Sequence, residues 1–123
     1  MRRARSNLAR ARERPSSKDV VLEDLCFDAQ QAVEKALKAL LASLNRPVPK
    51  THSIADLLTR VRDTGITLPP RIERAAGLTD YSVQARYPGP YEPVTDEEWK
   101  DAVALAGEVV RWTQDRIDGA PIR

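Results

Sequence analysis

The segment TDYSVQARYPGPYEP, residues 79–93, contains all three tyrosines of the chain, three of its nine prolines and the isolated Arg86. Aromatic rings stack on nucleobases, and a guanidinium group can bind a phosphate through two parallel hydrogen bonds. Tyr81, Tyr87 or Tyr91 could therefore hold a base while Arg86 binds a phosphate. This combination predicts a nucleotide or RNA contact on the segment.

The same residues suit a structural role equally well. Tyr81 could fill the end of a helical bundle while its hydroxyl group reaches solvent. Arg86 could bind the last carbonyl groups of a preceding helix, and the prolines would fix the turn that follows. Because loops on rigid scaffolds often carry function, the sequence leaves both interpretations open.

Further positive side chains could extend the phosphate-binding surface. Lys35 and Lys38 lie in the region with the longest apolar stripe, and Lys50 and His52 lie in the loop at its end. The polar side of the same region also contains Phe27, which indicates a second contact surface. The residues predicted to form a dimer interface are Phe27, Gln30, Gln31, Glu34 and Trp112.

Positive charge is concentrated at the start of the chain. Residues 1–14 contain six arginines and Glu13 as their only acid, whereas the whole chain has a formal net charge of +2. Blocks of like charge are usually solvent-exposed faces or tails. We therefore expect an arginine-rich helix or arm whose Ala4, Leu8 and Ala11 rest on the rest of the protein. The alternative is a phosphate-binding patch, because arginines bind phosphate oxygens in a salt-sensitive way.

Apolar spacing predicts helices separated by proline-marked breaks. Within residues 16–44, apolar side chains from Leu22 onward recur at three- and four-residue steps, which is typical of a long helix packed in a bundle. Ser16 or Ser17 is the expected N-cap, since a hydroxyl group there accepts from the exposed amides of the first turn. The prolines of NRPVPK end the helix.

One shorter helix is predicted before this long one in the chain, and another after it. The first covers about residues 2–13 and ends before Pro15, since proline disfavours a helical residue before it. The second covers about residues 53–63, where Ser53 and Asp56 fit a capping box.

Two more helices complete the predicted set. One begins at Pro69–Pro70, because the first helical turn needs no amide donor, and runs toward residues 81–86. The other begins at Thr95, which VTDEEW predicts to form a capping box with Glu98, and continues to Gly119.

The predicted fold is an all-α, up-down bundle of about five helices with two long antiparallel helices. At 123 residues we expect one domain, with residues 16–118 as its helical core. The lone Cys26 in an apolar run favours a buried thiol in a reducing compartment, and no apolar run approaches the ~20 residues of a membrane span. We therefore expect a cytoplasmic protein. Since His52 has only Cys26 as a soft-ligand companion, we expect no metal site and no cofactor.

Four pieces of the chain stand in an order that resembles the HEPN domain family. They are LCFDAQQAVEKALKALL (25–41), PKTHSIADLL (49–58), YSVQARYP (81–88) and TDEEWKDAVALAGEVVRW (95–112). DAQQAVEKALKALL and ARYP are the most specific pieces, and the resemblance covers about residues 8–118. It implies a helical bundle, commonly a homodimer, often encoded beside a minimal nucleotidyltransferase with which it can act as toxin and antitoxin.

One branch of this family comprises metal-independent ribonucleases, in which an Arg is followed after four to six residues by a His near the start of the last long helix. The histidine can move the 2′-hydroxyl proton near neutral pH, and the arginine can stabilise charge on the pentavalent phosphorus. In this chain Arg86 is the candidate arginine. Tyr91, Glu92 and Pro93 stand where the histidine would be.

Arg46 and His52, with five residues between them, fit the spacing alone. They lie in the loop after the long helix, however, and the family's Lys-Thr-His piece accounts for His52, which we expect to bond locally or to pack against a neighbouring helix. Arg86 and His52 are therefore weak catalytic candidates. The resemblance implies a non-catalytic HEPN protein that dimerises, acts with a nucleotidyltransferase and binds nucleotide or RNA. The alternatives are a metal-independent ribonuclease toxin and a purely structural dimerisation module.

Overall fold

The computed structural model describes residues 1–14, 21–79, 81 and 94–119, and within these ranges all regular secondary structure is helical. The predicted all-α class is therefore confirmed. The α-helices are α1 (Arg2–Arg12), α2 (Leu22–Ser43), α3 (Ile54–Asp63), α4 (Pro70–Glu73) and α5 (Asp96–Ile117), and a 3₁₀ helix, η1 (Arg74–Leu78), follows α4 directly.

α2 lies at the centre of the core, in contact with α1, α3, η1 and α5. Its predicted apolar stripe is buried, since Leu37 and Leu40 have no exposed surface and Leu41 is 1% exposed. Burying a leucine side chain contributes roughly 1.5–3 kcal/mol, so this stripe supplies much of the free energy that holds the bundle together. α5 packs against it with buried residues of its own, among them Trp99, Ala102, Ala106, Val109 and Val110.

The two long helices, α2 and α5, run in the same direction, so the predicted antiparallel arrangement is wrong. The amide of Val94, just before α5, donates to the carboxylate of Glu23 at the start of α2 (3.0 Å). The indole of Trp99 in the first turn of α5 donates to the carbonyl of Ala11 at the end of α1 (2.7 Å). The connection through α3, α4 and η1 carries the chain back to the end of the bundle at which α2 begins.

α1 runs opposite to both long helices. Arg10 near its end bonds Asp28 in the second turn of α2 (2.9 Å), whereas Asn7 bonds Lys35 two turns further along α2 (2.7 Å). The prediction that α1 rests on the protein through its small apolar residues is confirmed, because the buried residues of α1 include Ala4, Leu8 and Ala11.

Most helix starts follow the predicted caps. Thr95 and Glu98 form the complete capping box at the start of α5. The Ser53 hydroxyl accepts from the amide of Asp56 at the start of α3 (3.2 Å). Pro70 stands in the first turn of α4, where its missing amide hydrogen costs nothing.

One predicted boundary is wrong, and a second predicted helix is interrupted. α2 begins at Leu22, preceded by Val21 with extended backbone and no side-chain cap; the predicted caps, Ser16 and Ser17, lie outside the described residues. The helix predicted to run toward residues 81–86 changes to the tighter η1 after four residues, and Thr79 and Tyr81 are helical again. Its predicted end near residues 81–86 lies outside the described residues, apart from Tyr81. Gly77 lies in η1, and glycine has little propensity for an α-helix.

Candidate functional site

A polar cluster on α2 is built around the carboxylate of Glu34, which is 3% exposed. Its Oε1 receives the Lys38 ammonium group at 2.9 Å and the Nδ1 of His52 at 3.0 Å, and its Oε2 accepts from the Gln30 amide at 3.0 Å. The amide of Gln31 donates to Gln30 at 2.7 Å. We call these five residues the Glu34 cluster.

Helix geometry and one loop bring the Glu34 cluster together. Gln30, Glu34 and Lys38 are spaced four residues apart, so they stand on one face of α2. The loop after α2 delivers His52 to the same place, where the Ser53 cap starts α3. The predicted contact of His52 with a neighbouring helix is thereby confirmed.

The Glu34 carboxylate is held in its ionised form. Burial alone would raise the pKa of Glu34, but hydrogen bonds from Lys38 and Gln30, together with the charges of Lys38 and His52, bring the net pKa below its ordinary value. An ionised carboxylate only accepts hydrogen bonds, so Nδ1 of His52 donates to it. The imidazole is thus fixed at one nitrogen while 58% of its side chain is exposed.

The start of the tyrosine-rich segment lies close to α3 and α5. The hydroxyl group of Thr79 accepts from the amide of Ile54, the first residue of α3, at 3.1 Å. Tyr81 packs partly buried against the core and lines a pocket of about 220 Å³ between η1 and α5, whose other lining residues include Glu98 and Asp101. The predicted ligand residues Arg86 and Tyr87, like Tyr91, lie outside the described residues.

The predicted lysines separate into different surroundings. Lys38 shares the Glu34 carboxylate, whereas Lys35 donates to the side-chain oxygen of Asn7 on α1 at 2.7 Å. Lys50 is exposed in the loop between α2 and α3. The structure therefore brings Lys38 and His52 together, places Lys35 at the contact between α1 and α2, and leaves Lys50 facing solvent.

The predicted interface residues differ in what they present to a partner. Glu34 was expected on the polar outer side of α2 but is buried, and Gln30 has no exposed surface. Phe27, Gln31 and Trp112 are partly exposed, and the guanidinium of Arg116 lies 5.2 Å from the centre of the Trp112 ring. The interface itself remains a prediction, now carried by the three partly exposed side chains.

Sequence reasoning missed Asn7 and Thr79. Asn7 is 3% exposed, accepts from Lys35 and donates to Asp28 at 2.8 Å, which ties α1 to α2. A lone asparagine between Ala4, Leu8 and Ala11 on the apolar face of α1 was the available signal. No comparable signal in the sequence indicated the role of Thr79, since its hydrogen-bond partner is the backbone amide of Ile54, 25 residues away.

Two general findings apply to the described part of the chain. No three or more of its His, Cys, Asp and Glu side chains come together in an arrangement that could hold a metal ion. None of its helices combines the length and apolar character needed to cross a membrane.

The fold and the Glu34 cluster define a small all-α domain with a buried polar centre on its middle helix. The family model described as "HEPN domain" matches residues 1–117, and the chain belongs to this family. The structure is similar to that of TT1696 from Thermus thermophilus, with a TM-score of 0.80 and 32% identity over 94% of this chain and 93% of that one. It is also similar to ST0689, an archaeal HEPN homologue, with a TM-score of 0.71 and 27% identity over 94% and 93% of the two chains. Among curated proteins, none matches.

Proposed function

We propose that this chain is a non-cleaving HEPN protein that forms a homodimer, acts with a minimal nucleotidyltransferase in a toxin–antitoxin-like pair, and binds nucleotide or RNA. The observation that carries the proposal is the position of His52, which lies in the loop before α3, bonded to the buried carboxylate of Glu34, and not after Arg86. The only histidine of the chain is thereby tied to α2. The family's catalytic position, four to six residues after Arg86, holds no histidine.

The candidate ligand contacts are of two kinds. Arg86 and Lys50 would bind phosphate oxygens, because both side chains are positively charged at neutral pH. Tyr81 and Tyr87 would stack on the base. The pocket beside Tyr81 supports the placement of a base there, since its charged lining residues are Arg74 and the two acids Glu98 and Asp101, whose carboxylates can accept from the amino edge of a base.

A reducing compartment such as the cytoplasm suits this protein. Burial raises the pKa of the Cys26 thiol to about 12, and the charges of Glu23 and Glu98 add to the effect. A buried thiol that stays protonated is unreactive, which fits a structural cysteine where disulfides are rare.

The absence of cleavage is tested by incubating the purified protein with single-stranded RNA in EDTA. We expect intact RNA from the wild type and equally from the His52→Ala and Arg86→Ala variants. RNA cleavage that persists in EDTA and disappears in either variant would contradict the proposal.

Ligand binding is tested by calorimetry with ATP and with a short single-stranded RNA. Arg86→Ala should weaken the affinity for the ligand that binds by about tenfold, or 1.4 kcal/mol. The matched control is Arg60→Ala, which removes an arginine paired with Asp56 on α3 and should leave the affinity unchanged. Equal affinities for all three proteins would remove Arg86 from the site, and no binding of either ligand would remove this part of the proposal.

The partner is tested by co-expressing the chain with the product of the adjacent reading frame. If that product is a minimal nucleotidyltransferase, we expect the two proteins to co-elute in gel filtration and the partner to relieve growth inhibition by the chain. A neighbouring gene of another kind, or separate elution, would count against the pair.

One observation favours a second candidate, a metal-independent ribonuclease. The carboxylate of Glu34 fixes Nδ1 of His52, so Nε2 is the nitrogen left to take a proton from a 2′-hydroxyl group, and Arg86 would stabilise the charge on phosphorus. If the protein is a ribonuclease, the His52→Gln variant should not cleave RNA in EDTA. The Glu34→Gln variant should cleave RNA with a shifted pH profile of the cleavage rate.

A further inference from the structure

The excess positive charge of the molecule lies entirely within residues 1–14. Residues 1–14 carry six arginines and one glutamate, a net charge of +5, while the whole chain carries +2. The rest of the chain therefore has a net charge of −3. Such separation of charge is the electrostatic pattern of a protein that meets a polyanion.

Few of these arginines are neutralised. Arg10 pairs with Asp28 at 2.9 Å, and Arg14 pairs with Asp96 at 3.3 Å. Three further arginines form no ion pair and no hydrogen bond within the described residues: Arg2, Arg3 and Arg12. All three side chains are exposed. Their full charge is available to a ligand.

One flank of α1 forms a basic groove with α2. The groove has a volume of about 260 Å³, and its lining contains three cations and no acid: Arg3, Ser6, Asn7, Arg10 and Lys35. Arg3 and Arg10 are two helical turns apart on the same side of α1. Lys35 is held in place by its bond to Asn7.

The other flank of α1 forms a second groove with α5. This groove has a volume of about 390 Å³, and its charged lining residues are Arg5, Arg12, Arg111 and Asp115. The Arg12 guanidinium lies across Gly107, where a Cβ atom would come within 3.1 Å of Nη2. A residue without a side chain thus makes room for the guanidinium in the groove.

We propose that the exposed face of α1, flanked by these two grooves, binds the phosphodiester backbone of a nucleic-acid strand. Arginine forks match phosphate oxygens in pairs, and an 11-residue helix, about 16 Å long, spans several successive phosphates. The site uses none of residues 79–93. It rests on the proposed function only in so far as that function includes RNA, to which it assigns a binding surface.

The composition of the face argues against the other polyanionic partners. Its exposed positions hold arginines, Ser6 and Ala9, so it lacks the aromatic and large apolar side chains that form the centre of a protein interface. It equally lacks the bulky apolar residues that an amphipathic helix inserts into a lipid headgroup layer. A phosphate backbone needs neither.

The test measures the salt dependence of binding to fluorescein-labelled, single-stranded RNA and to DNA of the same sequence. The double variant Arg3→Gln/Arg12→Gln removes one unpaired arginine from each flank. We expect its affinity for RNA to fall at least tenfold at low salt, and the slope of log K against log salt concentration to become shallower by about 1.4, since each phosphate contact contributes about 0.7 on single strands. Binding of DNA with the same slope would identify the shared backbone as the ligand, and preference for RNA would add a contact to the 2′-hydroxyl group.

The matched control is Arg60→Gln/Arg62→Gln on α3, which changes the net charge by the same amount but removes arginines paired with Asp56 and Glu73. It should leave the slope unchanged. Equal slopes for the two double variants would overturn the proposal, as would a wild type that binds neither nucleic acid, or one that binds anionic lipid vesicles instead. If the α1 variant weakens RNA binding while Arg86→Ala does not, the α1 site stands and the proposed site at residues 79–93 fails.

Discussion

Glu34 carries a charge at a place that solvent barely reaches, and a buried charge is costly unless an opposite charge and hydrogen bonds compensate it. Lys38 supplies the charge, while Gln30 and His52 supply further bonds. Gln30 is itself fully buried and bonds both Glu34 and Gln31. Each member of the Glu34 cluster therefore depends on the others.

Loss of the ammonium group in Lys38→Ala should lower the free energy of unfolding by about 2 kcal/mol, because the buried carboxylate loses a charged hydrogen bond. Urea denaturation measures the change. The matched control is Lys100→Ala, which breaks an (i, i+4) pair with the exposed Asp96 and should have a much smaller effect, since exposed ion pairs contribute little. Equal losses in the two variants would mean that Glu34 does not need its partner.

The lowered pKa of Glu34 makes part of the stability dependent on pH. A carboxyl group whose pKa is lower in the folded than in the unfolded state contributes stability above its ordinary pKa of 4.5. This contribution is lost as the pH falls through the folded-state pKa. Between about pH 5 and about pH 3, Glu34→Gln should therefore lose less unfolding free energy than the wild type. The lowered pKa values of Asp96 and Glu108 act in both proteins, so the difference reports Glu34, and parallel curves would contradict it.

At the scale of helices, the sequence predicted the start of α5 correctly but the start of α2 wrongly. The segment VTDEEW predicts the capping box that Thr95 and Glu98 form. The prediction is possible because a capping box joins residues only three positions apart. α2 instead begins after Val21, which is 48% exposed and provides no side-chain acceptor. A good cap at Ser16–Ser17 in the sequence did not determine where the helix begins.

Thr95→Ala should lower the free energy of unfolding by about 1 kcal/mol, since it removes the acceptor for the amide of Glu98. Thermal unfolding followed by circular dichroism measures this loss. Val21→Ser is the counterpart, because it introduces a hydroxyl acceptor at an uncapped position with the extended backbone that a cap requires. It should raise the midpoint temperature, and a decrease would show that the start of α2 depends on the apolar side chain of Val21.

At the scale of the whole molecule, the direction of the two long helices follows from a connection of several elements. α3, α4 and η1 carry the chain back across the bundle, so that Val94 meets Glu23 and α5 starts beside the start of α2. Short loops make neighbouring helices antiparallel, but a connection of this length permits either direction. Apolar stripes on both helices are compatible with both arrangements.

The predicted homodimer is tested at the partly exposed aromatic residues of the two long helices. Light scattering coupled to gel filtration should give twice the chain mass of 13.7 kDa for the wild type. Phe27→Glu or Trp112→Glu should give the mass of one chain, because a charge buried in an apolar interface is costly. Val48→Glu, at a 44% exposed apolar residue in the loop after α2, is the control and should remain dimeric. A dimer that binds neither nucleotide nor RNA would favour the purely structural module.

The sequence by itself determined what depends on neighbouring residues: the helical class of the described residues, the buried stripe of α2 and the cap of α5. These features repeat every three or four residues or lie within one turn, so local spacing is sufficient to predict them. The tertiary structure alone decided that Glu34 is buried and bound to His52, that Lys35 turns to Asn7, and that α2 and α5 are parallel. Each of these depends on side chains that are far apart in the chain, and only packing of the complete core selects which of them meet.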